Sequence, residues 1–214
     1  MIGESSPLVV VKVGGSLLDW SELPERLGAY LARRSQDRLI LIVGGGPAAD
    51  LIRRLDDRHR LGDDRAHDLA LRALDLTAHV LTALLSDLVV VDRVERIEAI
   101  QRSERVPVLA PRLWLDEDDR RSPEPLPHCW EVTTDAIAAR LSARLEASEL
   151  VLLKSAPIPV GADLDTAARL GLVDPTFPNE ARALPLVTYL NLRDANASTA
   201  WLSRSRSGND PADP

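Results

Sequence analysis

The strongest constraint on the fold is an apolar strand that ends in a glycine cluster, a pattern that occurs twice. Leu8 to Val13 is a β-branched run followed by Gly14-Gly15-Ser16, and Arg38 to Val43 is followed by Gly44-Gly45-Gly46-Pro47. Runs without polar alternation are typical of strands that are buried on both faces of a sheet. A helical pattern follows each cluster, so the sequence predicts strands that alternate with helices.

The same alternation continues along the chain. Helices are predicted for Leu23 to Arg34, Ala48 to Arg58, Asp63 to Leu85, Thr133 to Ala147 and Asp163 to Leu170. Further strands are predicted for Leu88 to Val91, Val106 to Ala110, Leu150 to Leu153 and Leu186 to Leu190. The long helix carries an apolar stripe through Leu69, Ala73, Leu76, Val80 and Leu84. This order predicts an α/β fold, with a mostly parallel central sheet flanked by helices on both faces.

Two segments lack a clear helix or strand pattern. Leu115 to Pro127 is charged and proline-rich, which predicts a loop or flap. Residues 203–214 form a polar tail that we expect to be disordered. Residues 1–202 are therefore predicted to form one domain, which fits a chain of 214 residues.

Composition excludes several classes of protein. The net charge of −7 argues against a nucleic-acid surface. One cysteine, Cys129, cannot form an internal disulfide, and the four scattered histidines show no ligand spacing, so we expect no metal site built by the protein. No apolar run is long enough for a membrane span, and the N-terminus lacks a signal-peptide pattern. We therefore expect no membrane association and a cytoplasmic location.

Lysine is rare in this chain, although basic residues are common. Among 26 basic residues only Lys12 and Lys154 are lysines, and each ends an apolar run beside small residues. A compact ammonium on a flexible stem suits phosphate groups. Two lysines in an arginine-rich chain could occur by chance, but their positions at the ends of strands indicate a function.

The glycine clusters favour phosphate binding. Successive backbone N–H groups can surround phosphate oxygens, and a helix N-terminus behind the turn adds a favourable field for anions. Neither cluster matches G-x-x-x-x-G-K-[ST] or G-x-G-x-x-G, so a P-loop and a dinucleotide site are not supported. Ligands of parallel sheets bind at the carboxyl ends of the strands. Lys12, Gly14, Gly44 and Lys154 all fall at such ends.

Three segments, VVKVGGSLL, LIVGGGPAAD and TTDAIAARLSARLEASELVLLKS, resemble the motif set of the amino acid kinase superfamily. The likeness runs from about residue 8 to 190 and implies ATP and Mg²⁺ as cofactors. It also implies that Lys12 and Lys154 neutralise phosphate charge and that Asp135 orients them, although an acid in a first helical turn is favourable by itself. By the same resemblance Gly14, Gly15, Ser16 and Ser155 would contact ATP phosphates.

The acceptor would meet the second glycine turn and the residues that follow it. Gly44, Gly45 and Gly46 would face the transferred group, and the further candidates are Asp50, Arg53, His67, Trp130, Thr133 and Thr134. Arg53 could instead lie on a solvated helix face, His67 could be merely solvated, and Trp130 could simply pack a loop end.

Within the superfamily, RHRLGDDRAHDLALRALDL, PHCWEVTTDAIAA and GLVDPTF are similar to an aspartokinase-like branch. That branch includes the (aminomethyl)furanylmethyl phosphate kinase of methanofuran biosynthesis, which phosphorylates a phosphate monoester. Its pattern is close to HSWDVTSDSIAAW, from which this chain departs at Cys129, Glu131, Thr134, Ala136 and Arg140. Ser155 also stands where the branch has an acidic residue.

The resemblance predicts an ATP-dependent kinase of a small anionic acceptor, with a phosphate monoester favoured. Two alternatives remain at this stage. One is a kinase of a carboxylate or of another small phosphate, and the other is a non-catalytic nucleotide-binding sensor or scaffold, suggested by Ser155. Members of the superfamily commonly self-associate, so we also expect a homodimer or larger homo-oligomer.

Overall fold

The computed structural model describes residues 6–196 and 199–202. Within them, seven strands form one sheet in the order β3-β4-β2-β1-β5-β6-β7. Neighbouring strands are parallel except β7, which is antiparallel to β6. The strands are β1 Leu8–Val13, β2 Arg38–Val43, β3 Leu88–Val91, β4 Val106–Leu109, β5 Glu149–Lys154, β6 Val187–Asn191 and β7 Ala200–Trp201. The predicted fold class is confirmed.

The helices connect the strands. They are α1 Leu23–Arg33, α2 Gly46–His59, α3 Asp63–Leu84, α4 Ile97–Arg102, α5 Arg112–Arg121, α6 Thr134–Arg144, α7 Leu164–Arg169 and α8 Phe177–Ala181. Single 3₁₀ turns occur at Gly15–Leu17 and Val94–Arg96. The predicted helices and strands are present, with ends that differ by up to three residues. The short elements α8 and β7 were not predicted, and the predicted tail of residues 203–214 lies outside the described residues.

Two hydrophobic cores lie on opposite faces of the sheet. Val9, Val11 and Val13 of β1 pack with α1 residues on one face. Val10 of β1 packs with α6 and α8 residues on the other. This division follows from the two-residue period of a strand, which sends successive side chains to opposite faces.

The same period places the two lysines. Lys12 follows Val10 by two residues on β1, and Lys154 follows Leu152 by two residues on β5. Val10 and Leu152 both belong to the core that contains α6. Because β1 and β5 are parallel neighbours, with Lys12 opposite Leu152, both lysines lie at the carboxyl edge of the sheet on the α6 side.

The prediction of a loop or flap over Leu115 to Pro127 is wrong for its first half. Helix α5 covers Arg112–Arg121. Trp114 and Leu115 anchor it in the core, and its charged residues pair at i,i+4 spacing, as in Arg112 with Asp116 at 3.4 Å. The prolines begin only at Pro123, so they end this helix and do not prevent it.

Helix α3 exposes much of its predicted apolar stripe. Leu76, Val80 and Leu84 are 56%, 41% and 44% exposed. The buried side of this helix contains Ala73, Leu74, Thr77, Ala78 and Leu81. None of the described helices is long and apolar enough to span a bilayer. Leu76, Val80 and Leu84 are therefore exposed to solvent in a single copy of the chain.

Candidate active site

The two glycine turns at the carboxyl edge of the sheet pack directly against each other. A Cβ atom on Gly15 would lie 2.3 Å from the backbone nitrogen of Gly46, and one on Gly44 would lie 2.6 Å from that of Gly15. Gly46 also has a φ of +48°, which a larger side chain would strain. Glycine is therefore required by the contact between the turns, whatever they bind.

Both turns begin helices. The first opens the 3₁₀ turn Gly15–Leu17 and the second opens α2. The first N–H groups of a helix have no partner within it, and they favour an anion in front of them. The carboxyl edge of β1 and β2 thus offers backbone donors at two adjacent points.

A buried carboxylate joins the two lysines. Asp135, in the first turn of α6, lies 2.9 Å from Lys12 Nζ through Oδ1. Its Oδ2 accepts a 2.6 Å hydrogen bond from Lys154 Nζ. Lys154 Nζ donates a second bond, of 2.8 Å, to the carbonyl of Leu172. Asp135 is 3% exposed and Lys12 6% exposed. Two ammonium groups and one carboxylate leave this cluster with one net positive charge when both lysines are protonated.

The cluster changes the titration of its members. Burial would raise the pKa of Asp135, but the charges of Lys12 and Lys154 outweigh it and lower that pKa to about 2. Burial and the neighbouring charge of Lys12 lower the pKa of Lys154 to about 8, although Asp135 opposes both. Asp135 is therefore ionised at neutral pH. Lys154 loses its proton as the pH rises through about 8.

A cavity of about 460 Å³ opens beside the lysine cluster. It lies between the glycine turns, helices α2 and α3, and the start of α6. Twelve of the predicted site residues line it: Lys12, Gly15, Ser16, Gly44, Gly45, Gly46, Asp50, Arg53, His67, Trp130, Thr133 and Thr134. Residues from four separate segments thus meet in one place.

Four predicted residues lie outside the cavity wall. Asp135 and Lys154 are behind it, joined to Lys12 as described. Gly14 packs on β5, where its N–H donates to the carbonyl of Leu153 at 2.8 Å. The Ser155 hydroxyl is 2.8 Å from that of Ser16. Ser155 therefore links the ends of β5 and β1, at the position where the resemblance predicts an acidic residue.

Trp130 and Arg53 line the same cavity as the second glycine turn. Trp130 donates its indole N–H to Asp56 at 2.8 Å, and the Arg53 guanidinium lies 4.9 Å from the centre of the ring. Such cation–π contacts hold an arginine in place without neutralising it. Trp130 and Arg53 are therefore built into the cavity wall.

His67 is the remaining predicted acceptor residue with an unusual environment. Its ring stacks on His128, with centroids 4.2 Å apart and an angle of 11° between the planes. Burial and the nearby His128 lower the pKa of His67 to about 4, against the opposing effect of nearby carboxylates. The ring is therefore neutral at physiological pH.

Asp174 and Arg193 are among the residues of the site that were missed from the sequence. Asp174 is a buried acceptor for the start of α6: its Oδ2 takes bonds from Thr133 Oγ1 at 2.7 Å and Ala136 N at 3.0 Å. Arg193, after β6, lines the cavity and donates to the carbonyl of Ser16 at 3.1 Å. Asp174 stands in the segment GLVDPTF that we singled out, but its role as a cap depends on a long-range contact.

Comparison with known proteins identifies a family and relatives of this chain. The model of the amino acid kinase family matches residues 7–157. A curated relative from Methanocaldococcus jannaschii, "[5-(aminomethyl)furan-3-yl]methyl phosphate kinase", is 26% identical over 144 residues, which are 67% of this chain. The match spans 63% of that relative's length, less than two thirds of it.

Solved structures show the same fold. UMP kinase from Ureaplasma parvum superposes with a TM-score of 0.64 at 14% identity, covering 92% of this chain and 99% of its own. Aspartate kinase from Synechocystis gives 0.63 at 17% identity, covering 94% of this chain and 41% of its own. The family match covers most of the chain, including both glycine turns and both lysines. This chain belongs to the amino acid kinase family.

Proposed function

We propose that this protein is an ATP-dependent kinase that transfers a phosphoryl group to a small phosphate monoester. Our preferred acceptor is [5-(aminomethyl)furan-3-yl]methyl phosphate, which would become a diphosphate. The observation that carries the proposal is the buried Lys12–Asp135–Lys154 cluster beside the cavity. The likeness to the archaeal relative supports the choice of acceptor.

The cluster suits phosphoryl transfer because that reaction requires alignment and charge neutralisation more than covalent chemistry from the protein. Lys12 reaches the cavity while Asp135 holds it from behind. Lys154 and the N-termini at the two glycine turns add positive potential at the same edge. These groups fit the phosphates of ATP, and Mg²⁺ would arrive with the nucleotide and neutralise part of its charge.

The cavity wall suits an acceptor that carries both signs of charge. Its basic side chains include Arg53 and Arg193, and its acidic ones are Asp19, Asp50 and Asp63. Arginine matches a phosphate group, and a carboxylate matches an ammonium group. An aminomethyl furan phosphate has both groups joined by a ring, which Trp130 could stack against. A purely anionic acceptor would leave these carboxylates without a role.

A phosphate acceptor also removes the need for a general base. The acceptor oxygen is already ionised near neutral pH, so no residue has to remove a proton from it. Asp135, whose pKa is lowered by its lysines, therefore need not act as a base. The site then needs only to bring two anions together, and the cluster's net positive charge lowers the repulsion between them.

The test is phosphorus NMR of the purified protein with Mg-ATP and [5-(aminomethyl)furan-3-yl]methyl phosphate. We expect ADP and a new diphosphate signal. Lys12→Ala should reduce kcat by about 10²–10³-fold, the usual cost of removing one preorganised charge donor. Arg102→Ala is the matched control because it removes one exposed charge on α4, away from the cavity, and its rate should equal that of the wild type.

Other outcomes separate the alternatives. Turnover only with UMP, or with aspartate or acetylglutamate, would keep the kinase and refute the furan phosphate as acceptor. ATP binding without turnover on any acceptor would indicate the non-catalytic nucleotide-binding protein. In that case the first variant to test would be Ser155→Asp, which replaces one hydroxyl of the Ser16–Ser155 contact with a carboxylate.

We also propose that the reaction belongs to methanofuran-linked one-carbon cofactor metabolism and takes place in the cytoplasm, where ATP is available; the likeness to the archaeal relative supports this. We further propose that the protein is a homodimer. Leu76, Val80 and Leu84 recur every four residues on the exposed side of α3, and rows of that spacing can interdigitate with a second copy of themselves. A second copy is preferred as the occupant because these three side chains are apolar and a two-fold axis brings a surface against itself.

A further inference from the structure

Three side chains with metal-ligand chemistry converge beside the cavity. His67 comes from α3, Asp119 from α5 and His128 from the segment that precedes α6. One ligand atom of each lies within 4.8 Å of the others. The residues are far apart in the sequence and form no motif, which is why ligand spacing alone predicted no metal site.

We propose that His67, Asp119 and His128 form a binding site for a divalent transition-metal ion of the zinc class. Two imidazoles and one carboxylate are a ligand set that Zn²⁺ accepts, and imidazole nitrogen disfavours Mg²⁺ and Ca²⁺. This site is separate from the Mg²⁺ that accompanies ATP, and it does not depend on the proposed kinase activity.

Hydrogen bonds to the outer atoms of two ligands support the assignment. Nδ1 of His128 is 2.7 Å from Oδ1 of Asp64, an arrangement that orients the ring and leaves Nε2 for a metal. Oδ1 of Asp119 accepts the N–H of Leu126 at 3.0 Å, which orients the carboxylate and leaves Oδ2 for an ion. Carboxylates that orient histidines in this way are typical of metal centres.

The electrostatics also favour a cation. Asp64 contacts His128 at 2.7 Å, and Asp119 is itself one of the three ligands. Asp68 and Asp116, farther out, are paired with Arg112. The cation nearest to a ligand is Arg140, whose Nη1 is 3.7 Å from Oδ1 of Asp119. Arg140 is itself bound by Glu180 through two hydrogen bonds of 2.9 and 3.0 Å. Because Glu180 offsets Arg140, Asp64 and Asp119 leave the two histidines in net negative surroundings.

Metal binding requires a small closing movement. Tetrahedral zinc with ligand bonds near 2.0–2.1 Å brings ligand atoms to about 3.3 Å from one another. The present separations, up to 4.8 Å, and the nearly parallel rings require one histidine to tilt. His128 can do so because its side chain is 42% exposed, whereas His67 is held by α3.

The position of the site gives it a consequence for the cavity. A metal here would join α3 and α5 to the segment that carries Trp130. Three protein ligands leave a fourth position for water or for an oxygen of a bound molecule. Because His67 lies on the cavity wall, a bound ion would lie at the border of the cavity.

The test is a calorimetric titration of the untagged, metal-stripped full chain with Zn²⁺, in the absence of nucleotide and acceptor. We expect one ion per chain. His67→Ala and His128→Ala should each weaken binding by about 100-fold or more, and Asp64→Asn by about 10–100-fold, the usual effect of losing an orienting partner. His79→Ala, an exposed histidine elsewhere on α3, should bind as the wild type.

Co²⁺ provides a second measurement. The wild type should give the visible absorption of a tetrahedral cobalt site, and the His67→Ala/His128→Ala double variant should not. Unfolding in urea would establish that the variants remain folded. Zinc affinity equal in the wild type and the double variant, or lost equally in His79→Ala, would overturn the proposal. These readouts do not involve ATP, so they stand or fall independently of the kinase reaction.

Discussion

At the scale of single residues, the rarity of lysine is the most informative signal in the sequence. It singles out Lys12 and Lys154, and the structure brings both to Asp135. Strand periodicity and parallel pairing are enough to predict that the lysines share a face. The exact contact requires α6, whose position relative to the sheet is set by packing across the core and cannot be read from spacing.

The lowered pKa of Lys154 predicts how activity depends on pH. The Lys154 side chain is charged at pH values below its pKa of about 8 and neutral at higher pH. If its charge assists transfer, kcat/KM should fall as pH rises through about 8, because this ratio reports groups of the free enzyme. The measurement is a profile of kcat/KM over about three pH units, from about pH 6.5 to about pH 9.5.

Lys154→Arg is the control for that profile. Arginine stays charged throughout this range, so the fall near pH 8 should disappear even if the overall rate is lower. A wild-type profile that stays level, or a fall that persists unchanged in Lys154→Arg, would show that Lys154 is not the titrating group. The second result would point to the acceptor's own amine.

At the scale of elements, the sequence predicts the long, regular pieces well. The six parallel strands and α1, α2, α3, α6 and α7 are confirmed. The wrong predictions concern segments whose structure depends on contacts between residues far apart in the sequence. Helix α5 was mistaken for a loop because its charges are satisfied by one another and by Arg140 and Arg144, which lie on α6. Its buried Trp114 and Leu115 were too few to show a period.

Asp174 makes the start of α6 and the start of α8 depend on one side chain. Its Oδ1 accepts bonds from Thr176 and Phe177, and its Oδ2 from Thr133 and Ala136. Asp174→Ala would leave buried donors unpaired, so we expect the free energy of unfolding to fall by about 3 kcal/mol or more. Urea denaturation measures it.

The control for this variant is Asp57→Ala, which removes an exposed carboxylate from α2. It should change the free energy of unfolding by less than about 0.5 kcal/mol. Equal stability of the two variants would mean that the hydrogen bonds of Asp174 are replaced by water. Because Thr133 borders the cavity, loss of the cap should also raise KM for the acceptor.

At the scale of the whole molecule, the exposed stripe of Leu76, Val80 and Leu84 on α3 is the feature that a single copy of the chain does not explain. Periodicity predicted the stripe but not its environment, since an apolar row looks the same whether it faces a core or a second subunit. The buried side of α3 is formed instead by small and apolar residues such as Ala73, Ala78 and Leu81.

The stripe predicts the oligomeric state. The Leu76→Glu/Val80→Glu double variant should convert a dimer into a monomer, because burying two carboxylates in an apolar contact is unfavourable. Light scattering after size exclusion measures the mass. Leu170→Glu is the matched control, since Leu170 is 53% exposed on another part of the surface. A wild type that is already monomeric, or a double variant that remains dimeric, would contradict the assignment.

The close packing of the two glycine turns couples what the two sides of the cavity bind. With Gly15 and Gly44–Gly46 in backbone contact, a shift of either turn displaces the other. Nucleotide on the first side and acceptor on the second would then share a linkage free energy. Whatever factor the nucleotide applies to acceptor affinity, the acceptor must apply to nucleotide affinity. Order of addition would alter the rates of binding but not this reciprocity.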